Sequence, residues 1–140
     1  MDEMDQILKE FLVEAFDTLD GLDQELVKLE QQPNDQEIIN SIFRKVHTIK
    51  GTCGFLEFHK LESVTHVGET LLDGVRAGKI ALDQDVTSAL LGLIDATRQI
   101  LGVISTEGNE GEGDYSALVK TLRDLSDRRK GEVSIDPAPA

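Results

Sequence analysis

The chain has 140 residues, the size of one domain with a single core, and its formal net charge of −13 argues against nucleic acids and anionic membranes as partners. Aromatic residues make up 4% of the chain and tryptophan is absent, which favours a helical core of leucine, isoleucine and valine. One cysteine excludes an internal disulfide and is compatible with a reducing compartment. The acidic N-terminus lacks a signal-peptide pattern, and we expect no apolar run to approach transmembrane length. These features predict a soluble, cytoplasmic protein without membrane insertion.

Two long amphipathic helices are predicted in the first part of the chain. The first spans about residues 2–30, and Pro33 enforces its end. Its apolar positions recur at alternating spacings of four and three residues: Leu8, Leu12, Ala15, Leu19, Leu22, Leu26 and Leu29. The second spans about residues 35–54, with Asn34 as its N-cap and Glu37 as the reciprocal acceptor. Its predicted buried face carries Ile38, Ile42, Val46, Ile49 and Cys53.

Three further helices complete the predicted fold. They span about residues 59–77, 84–105 and 114–129. Gly78 is placed as the C-terminal cap of the third helix, and Asp83 and Asp114 as N-caps of the fourth and fifth. The short connections favour an all-α fold, an antiparallel up-down four-helix bundle with an additional fifth helix.

The segments outside the helices have different predicted roles. We expect Phe55 and Phe58, in the turn after the second helix, to be core residues. The glycine-rich, acidic segment 106–113 is expected to be a flexible loop. Residues 130–140 have no periodicity and are expected to be a linker toward further domains of a longer protein, so that the predicted domain covers residues 1–129.

His47 has the most informative surroundings in the chain. At about 100° per residue, it projects roughly 120° from the middle of the apolar face of the second helix, so it should reach solvent. Lys50 lies one turn on, where its ammonium can meet whatever sits at the imidazole, and Gly51 removes side-chain bulk beside the ring. Taken alone, a single helical histidine is usually a surface residue without a role. With these neighbours, it suits a nucleophile that accepts an anion and then meets a second protein.

The run HTIKG, which contains His47, Lys50 and Gly51, resembles the His-x-x-Lys-Gly signature of histidine phosphotransfer (HPt) domains. Downstream, the run LESVTHVGETLLD from Leu61 to Asp73 resembles the third helix of the N-terminal phosphotransfer domain of CheA-type chemotaxis histidine kinases. In that family, a Thr-His-x-x-Glu-x-Leu-Leu-Asp pattern follows the phosphorylated histidine at this distance. The resemblance implies that His47 is the phosphoacceptor and that the residues matching Lys50, His66 and Glu69 assist it.

Taken alone, Glu69 would be a solvated carboxylate, but the predicted bundle and the family resemblance together imply a physical role for it. Residues 47 and 69 each lie about ten residues from the turn between the second and third helices, so they should be at similar depth. If Glu69 accepts a hydrogen bond from Nδ1–H of His47, it fixes the tautomer, leaves Nε2 as the nucleophile and stabilises the cationic ring. Lys50 would offset the phosphoryl charge. His66 is on the flank that carries Glu69 and either joins this network or is a surface residue.

Nucleotide chemistry is expected to come from other domains. No Walker-type loop is present, and the glycines at 108, 111 and 113 are not followed by Lys-Ser/Thr. We therefore expect no cofactor in this domain and no catalytic kinase site. ATP and Mg²⁺ are expected on a partner kinase domain, acting in cis or in trans, and on a CheY-like or CheB-like response regulator.

The recognition surface is predicted to surround His47 on a domain that is itself monomeric. A receiver must bring its aspartate to the phosphorus, so its footprint must include exposed neighbours on the second and third helices. These are Asn40, Arg44, Lys50, Gly51, Gly54, Glu62, His66, Glu69 and Asp73.

Two other classes of function remain open from the residues. A metal site would draw on Cys53, His47, His59, His66 and Glu69, but the Glu-x-x-His pattern of helical di-metal sites is absent. A non-catalytic helical adaptor needs no special residues, but it leaves the His-x-x-Lys-Gly pattern unexplained. Cys53 lies on an apolar face and is expected to be a small core residue.

Overall fold

A computed structural model of the chain describes residues 3–128. All regular secondary structure in that range is helical. The five helices are α1 (Glu3–Gln31), α2 (Gln36–Phe55), α3 (His59–Arg76), α4 (Gln84–Glu107) and α5 (Ser116–Asp127). The predicted bounds differ from these by at most two residues. The predicted linker 130–140 and the predicted domain end at residue 129 lie outside the described residues.

The N-cap of α2 is Asp35, and the prediction of Asn34 is wrong. Oδ1 of Asp35 accepts hydrogen bonds from the backbone N–H groups of Glu37 at 3.1 Å and of Ile38 at 3.2 Å. Both residues are good caps, so the sequence did not decide between them. The carboxylate that reaches two free N–H groups of the first turn determines where the helix begins.

The other predicted caps lie at or beside the helix ends. Oδ1 of Asp83 accepts from the backbone N–H of Val86 at 2.9 Å, as an N-cap of α4 should. Gly78 follows the end of α3 with a φ of 78°, a conformation that glycine adopts without steric cost. Asp114 accepts from the N–H of Ser116 at 2.9 Å, although the N-cap of α5 is Tyr115.

The buried faces of α1 and α2 differ from prediction at their N-terminal ends. In α2, Ile39 is buried and Ile38 is only partly buried. In α1, Phe11 is buried while Leu8 and Leu12 are partly buried against the core. Spacings of three and of four both fit a helix, so the pattern alone allows either choice. The neighbouring helices decide which residue is covered.

Phe55 is not a core residue, contrary to prediction, because the residue is 66% exposed. Helix α2 continues through Phe55, two residues beyond the buried Cys53. Two residues correspond to about 200° of rotation, which puts Phe55 on the opposite side of the helix from the core. Phe58 does pack against the core, as predicted, although it is partly exposed.

The helices enclose one apolar core. Helices α1 and α3 each pack against α2 and α4, and α5 packs against α3 and α4. Within residues 3–128, α1 and α3 make no direct backbone approach, and neither do α2 and α4. The start of α2 lies beside the end of α3, where the side chain of Gln36 donates to the carbonyl oxygen of Arg76 at 3.1 Å. This pairing of α2 with α3 is what positions the site.

Helix α4 has the length and apolar composition of a membrane-spanning helix, so the expectation that no run approaches that length is wrong. Its apolar residues fill the core instead, and 56% of its most apolar stretch is buried. Arg98, near its middle, pairs with Asp23 of α1 at 2.7 Å and with Asp20 at 3.3 Å. The buried residues of α4 extend over a wide arc, as expected for a helix that packs against α1, α3 and α5.

The loop between α4 and α5 is hydrogen-bonded to α3, whereas the sequence predicted a flexible loop there. The carboxylate of Glu110 accepts from the backbone N–H groups of Lys60 at 3.2 Å and of Leu61 at 2.6 Å. Nζ of Lys60 donates in return to the carbonyl oxygens of Gly111 at 2.8 Å and Gly113 at 2.7 Å. Helix α3 has no side-chain cap of its own, so Glu110 caps it from a distant part of the chain.

Candidate functional site

Three predicted site residues meet between α2 and α3. Nδ1 of His47, on α2, is hydrogen-bonded to Oε2 of Glu69, on α3. The other carboxylate oxygen of Glu69, Oε1, pairs with Nζ of Lys50 at 2.7 Å. The side chain of His47 is 60% exposed, whereas Glu69 as a residue is only 9% exposed. A buried carboxylate therefore bridges a solvent-facing imidazole and an ammonium.

The pKa of the Glu69 carboxyl is set by burial and by its two partners. Burial is the largest single effect and by itself would raise the pKa. Hydrogen bonds from Lys50 and His47, and the charges of these groups, more than offset it and hold the pKa below its ordinary value. The carboxylate is thus ionised at neutral pH and can only accept hydrogen bonds.

An ionised Glu69 defines the state of the imidazole that faces it. Because the carboxylate only accepts, Nδ1 of His47 must carry the proton that is shared with it. In the neutral ring, Nε2 then holds the lone pair. The arrangement can present a nucleophilic nitrogen to solvent, with a cation one turn away at Lys50.

Two residues at the site, Phe43 and Arg76, were not predicted from the sequence. The Phe43 ring is stacked with the His47 ring, with centroids 6.1 Å apart and planes 7° apart. The guanidinium carbon of Arg76 lies 3.9 Å from the centroid of Phe43. A signal for Phe43 was present, since it is four residues before His47 and so shares its helix face. The contact of Arg76 had no such signal, because it crosses from α3 to α2.

His66 lies beside the site without joining its hydrogen bonds. Within residues 3–128, no hydrogen bond joins its ring to His47 or Glu69. It lines an open groove of about 330 Å³. The other residues that line the groove are Lys50, His59, Glu62 and Ser63.

The two glycines of the predicted recognition surface differ. A Cβ added at Gly51 would meet nothing within 4 Å, so this position leaves open surface beside His47. A Cβ at Gly54 would lie 2.9 Å from Oε2 of Glu62, so Gly54 allows Glu62 to pack against α2. The other surface residues are at least partly exposed, apart from the buried Glu69, and Asp73 pairs with Arg76 at 2.6 Å.

The residues of the alternative metal site are not clustered. Within the described part of the chain, no group of three or more His, Cys, Asp and Glu side chains is placed to hold a metal ion. Cys53 is fully buried. Burial, with the charges of Glu110 and Glu62, raises the pKa of the thiol to about 12. Its proton is therefore retained at neutral pH, which fits a small core residue.

Fold and site together define an all-helical domain in which a buried carboxylate holds a solvent-facing histidine. A family model described as "Hpt domain" matches residues 6–100, and the chain belongs to the Hpt domain family. The sensor histidine kinase CheAY of Helicobacter pylori is 37% identical over 130 residues, which are 90% of this chain and 16% of that protein. Chemotaxis protein CheA of Treponema pallidum is 34% identical over 118 residues, 84% of this chain and 14% of that protein. The chain thus spans about a sixth or less of these two relatives' length.

Solved structures of such domains share the fold. The solution structure of the histidine phosphotransfer domain of CheA matches with a TM-score of 0.78 and 28% identity, covering 86% of this chain and 92% of that one. The phosphorylated P1 domain of CheA3 in complex with CheY6, from R. sphaeroides, matches with a TM-score of 0.80 and 28% identity, covering 87% and 96%. These similarities agree with the resemblance found in the His47 and Glu69 segments.

Proposed function

We propose that this chain is the phosphoryl carrier of a chemotaxis-type two-component pathway. His47 accepts a phosphoryl group from ATP through a kinase domain, in cis or in trans, and passes it to an aspartate of a response regulator. The observation that carries this proposal is the solvent-facing imidazole whose Nδ1 is held by Glu69 while Glu69 also pairs with Lys50. Membership of the Hpt family and similarity to CheA proteins support it.

The transfer uses the two ring nitrogens differently. The lone pair of Nε2 attacks the γ-phosphorus, the N–P bond forms, and the bond to the leaving ADP oxygen breaks. The proton on Nδ1 stays in the hydrogen bond to Glu69, whose negative charge stabilises the cationic ring. Lys50 offsets the charge of the phosphoryl oxygens. In the second transfer, a carboxylate oxygen of the regulator attacks the phosphorus, and the N–P electron pair returns to Nε2.

The nucleotide and magnesium belong to the partners in this proposal. A kinase domain would bind ATP with Mg²⁺, and a CheY-like or CheB-like receiver would supply its own aspartate and Mg²⁺. The CheA3 domain similar to this chain is described in complex with CheY6, which supports a receiver as the partner here. The receiver would dock on the α2–α3 face around His47 and Gly51, and His66 would contact it or the phosphoryl group.

Architecture and setting are proposed on the same basis. The helices α1 to α4 would alternate in direction, as an up-down bundle with α5 added to one side. The bond between Gln36 and Arg76 supports this for α2 and α3, and Lys45 with Glu25 at 2.9 Å ties α2 to α1. The domain would cover residues 1–129, be monomeric and lie in the cytoplasm as part of a longer kinase.

Substitution of the acceptor tests the proposal. His47→Gln should abolish labelling by a CheA-type kinase core with ATP, while helical circular dichroism and melting temperature barely change, because the ring is exposed. The incorporated phosphate in the wild type should be acid-labile and base-stable. His59→Gln and His66→Gln are matched controls that should still be labelled. Labelling that persists in His47→Gln, or a wild type that is never labelled, would contradict the proposal and favour a non-catalytic adaptor.

A further inference from the structure

The hydrogen bond to Glu69 does not by itself fix the orientation of the His47 ring. It restrains one atom, Nδ1, and so leaves part of the rotation about the Cα–Cβ and Cβ–Cγ bonds of His47 free. With 60% of its side chain exposed, His47 has little other packing to prevent that rotation. A nucleophile whose plane is not fixed points its lone pair in a productive direction for only part of the time.

Phe43 supplies the missing restraint. Its ring is partly buried against the core, and the His47 ring is stacked with it at 6.1 Å between centroids and 7° between planes. This near-parallel, offset arrangement is a favoured aromatic geometry. The rotation that the hydrogen bond to Glu69 leaves free would tilt the imidazole out of this parallel contact. The carboxylate and the phenyl ring therefore fix two different degrees of freedom.

Phe43 is itself held from α3. The guanidinium of Arg76 lies over the Phe43 ring, 3.9 Å from its centroid. Nη2 of Arg76 is anchored by Oδ1 of Asp73 at 2.6 Å. The backbone of Arg76 is also fixed, because its carbonyl oxygen accepts from the side chain of Gln36 at 3.1 Å. A planar guanidinium anchored in this way restrains an aromatic ring better than a flexible ammonium does.

We propose that Phe43, held in place by Arg76, is a positioning residue that sets the plane of the His47 imidazole and thereby the direction of Nε2. The proposal rests on His47 being the phosphoacceptor. It adds a stacked support on α2 to the carboxylate on α3, and it predicts that an aromatic ring, and not merely an apolar side chain, is needed at position 43.

The test uses phosphoramidate, a small donor that transfers its phosphoryl group to an imidazole and releases ammonia. This donor brings no protein surface, so docking does not affect the rate. Phe43→Leu should lower the maximal rate of phosphorylation about two- to tenfold, the range expected for loss of one aromatic contact, and leave the half-saturating donor concentration unchanged. Phe43→Tyr keeps an aromatic ring and should be phosphorylated at the wild-type rate. Arg76→Lys keeps the charge without the planar group and should lower the rate less than Phe43→Leu does.

Two controls separate positioning from folding and docking. Phe16→Leu changes a partly buried phenylalanine on α1, a helix that carries none of the site residues, and should leave the rate unchanged. The His47 ring protons of the unphosphorylated domain give a second readout by NMR. The stacked Phe43 should displace their resonances, and Phe43→Leu should move them toward the values of a free imidazole while Phe16→Leu leaves them in place.

The outcomes distinguish this inference from the proposed function. A wild type labelled at His47, with Phe43→Leu labelled equally fast and unshifted ring protons, would overturn the positioning role. If Phe43→Leu were phosphorylated slowly by a kinase core but at the normal rate by phosphoramidate, Phe43 would act in docking, and the positioning role would again be overturned. Unchanged rate and ring shifts in Arg76→Lys would remove Arg76 from the proposal. Absence of labelling in the wild type would overturn the proposed function and, with it, the role of Phe43 in transfer, whereas the ring shifts would still show whether Phe43 sets the plane of the imidazole.

Discussion

At the scale of single residues, the central feature is one carboxylate that serves two partners. One carboxylate oxygen of Glu69 is hydrogen-bonded to Nδ1 of His47, and the other pairs with Nζ of Lys50. If the Glu69 carboxyl were protonated, it would lose one of these contacts. If it were displaced, the His47 ring would lose its hydrogen bond. The ionised Glu69 thus sets both the tautomer of His47 and the place of the Lys50 ammonium.

Removing the charge of Glu69 or the ammonium of Lys50 should slow phosphoryl acceptance while the fold persists. Glu69→Gln keeps a hydrogen-bond acceptor but removes the charge, and Lys50→Ala removes the ammonium. General-base and orienting effects contribute about 10²–10⁴-fold, and because this carboxylate only orients the ring we expect about 10²-fold or less. Single-turnover labelling measures the rate. Lys45→Ala removes another lysine of α2, one that pairs with Glu25 of α1, and is the matched control. Wild-type rates in both site variants would show that Glu69 and Lys50 play no part in phosphoryl acceptance.

The stability contribution of Glu69 should depend on pH. Its pKa in the folded protein lies below the ordinary value of 4.5, so its contribution is fully present above that value. The contribution is lost as the pH falls through the lower folded pKa. As the pH falls below 4.5 toward the lower pKa of the folded protein, the free energy of unfolding should therefore fall more steeply for the wild type than for Glu69→Gln. Urea unfolding across this range measures it, and parallel curves would contradict the ionised pair.

At the scale of elements, the start of α3 depends on a loop far along the chain. Glu110 accepts from the N–H groups of Lys60 and Leu61, which no local side chain satisfies. Glu110→Ala should cost about 0.5–2 kcal/mol of unfolding free energy, as loss of a helix cap does. Urea unfolding gives the value, and amide exchange should speed up at residues 60 and 61. Glu112→Ala, exposed in the same loop, is the control. Equal stability of the two variants would show that α3 needs no cap.

Substitutions at two helical glycines test helix stability and partner binding separately. A Cβ meets nothing within 4 Å at Gly51 in α2 or at Gly102 in α4. Gly51→Leu and Gly102→Leu should both keep or raise stability, by up to about 1 kcal/mol, because glycine disfavours a helix interior. Only Gly51→Leu should weaken receiver binding and phosphotransfer, since it adds bulk beside His47. Amide shifts during receiver titration would reveal the surface. Normal transfer by Gly51→Leu, with shifts on α1 and α4, would place the partner elsewhere.

At the scale of the whole molecule, a net charge of −13 on a small domain opposes compaction. Screening shortens the reach of this repulsion, from about 30 Å at 0.01 M salt to about 8 Å at 0.15 M. The melting temperature should rise over this range of NaCl. The double variant Glu14→Gln/Asp17→Asn, on the exposed face of α1, should melt higher at low salt and respond less to NaCl. A melting temperature that falls with salt would mean that local ion pairs outweigh the net repulsion.

The sequence by itself determined the features that lie within one helix. Periodicity placed the five helices and put His47 outside the apolar face of α2, because a residue's angle on its own helix depends only on its position. The short motif with Lys50 and Gly51 identified the family for the same reason, since its members share one helix surface. The prediction that Glu69 faces His47 needed both the helix register and the family resemblance.

Only the tertiary structure decided the contacts that join distant parts of the chain. Arg76 reaches Phe43 from another helix, and Glu110 caps a helix that begins about fifty residues earlier. The turn after α2 was misread at Phe55 because the exact residue where a helix ends decides which way the next side chain faces. Such contacts depend on the relative placement of packed helices, about which the periodicity within one helix carries no information. The depth of Glu69 in the structure, and with it the lowered pKa of its carboxyl, arises in the same way.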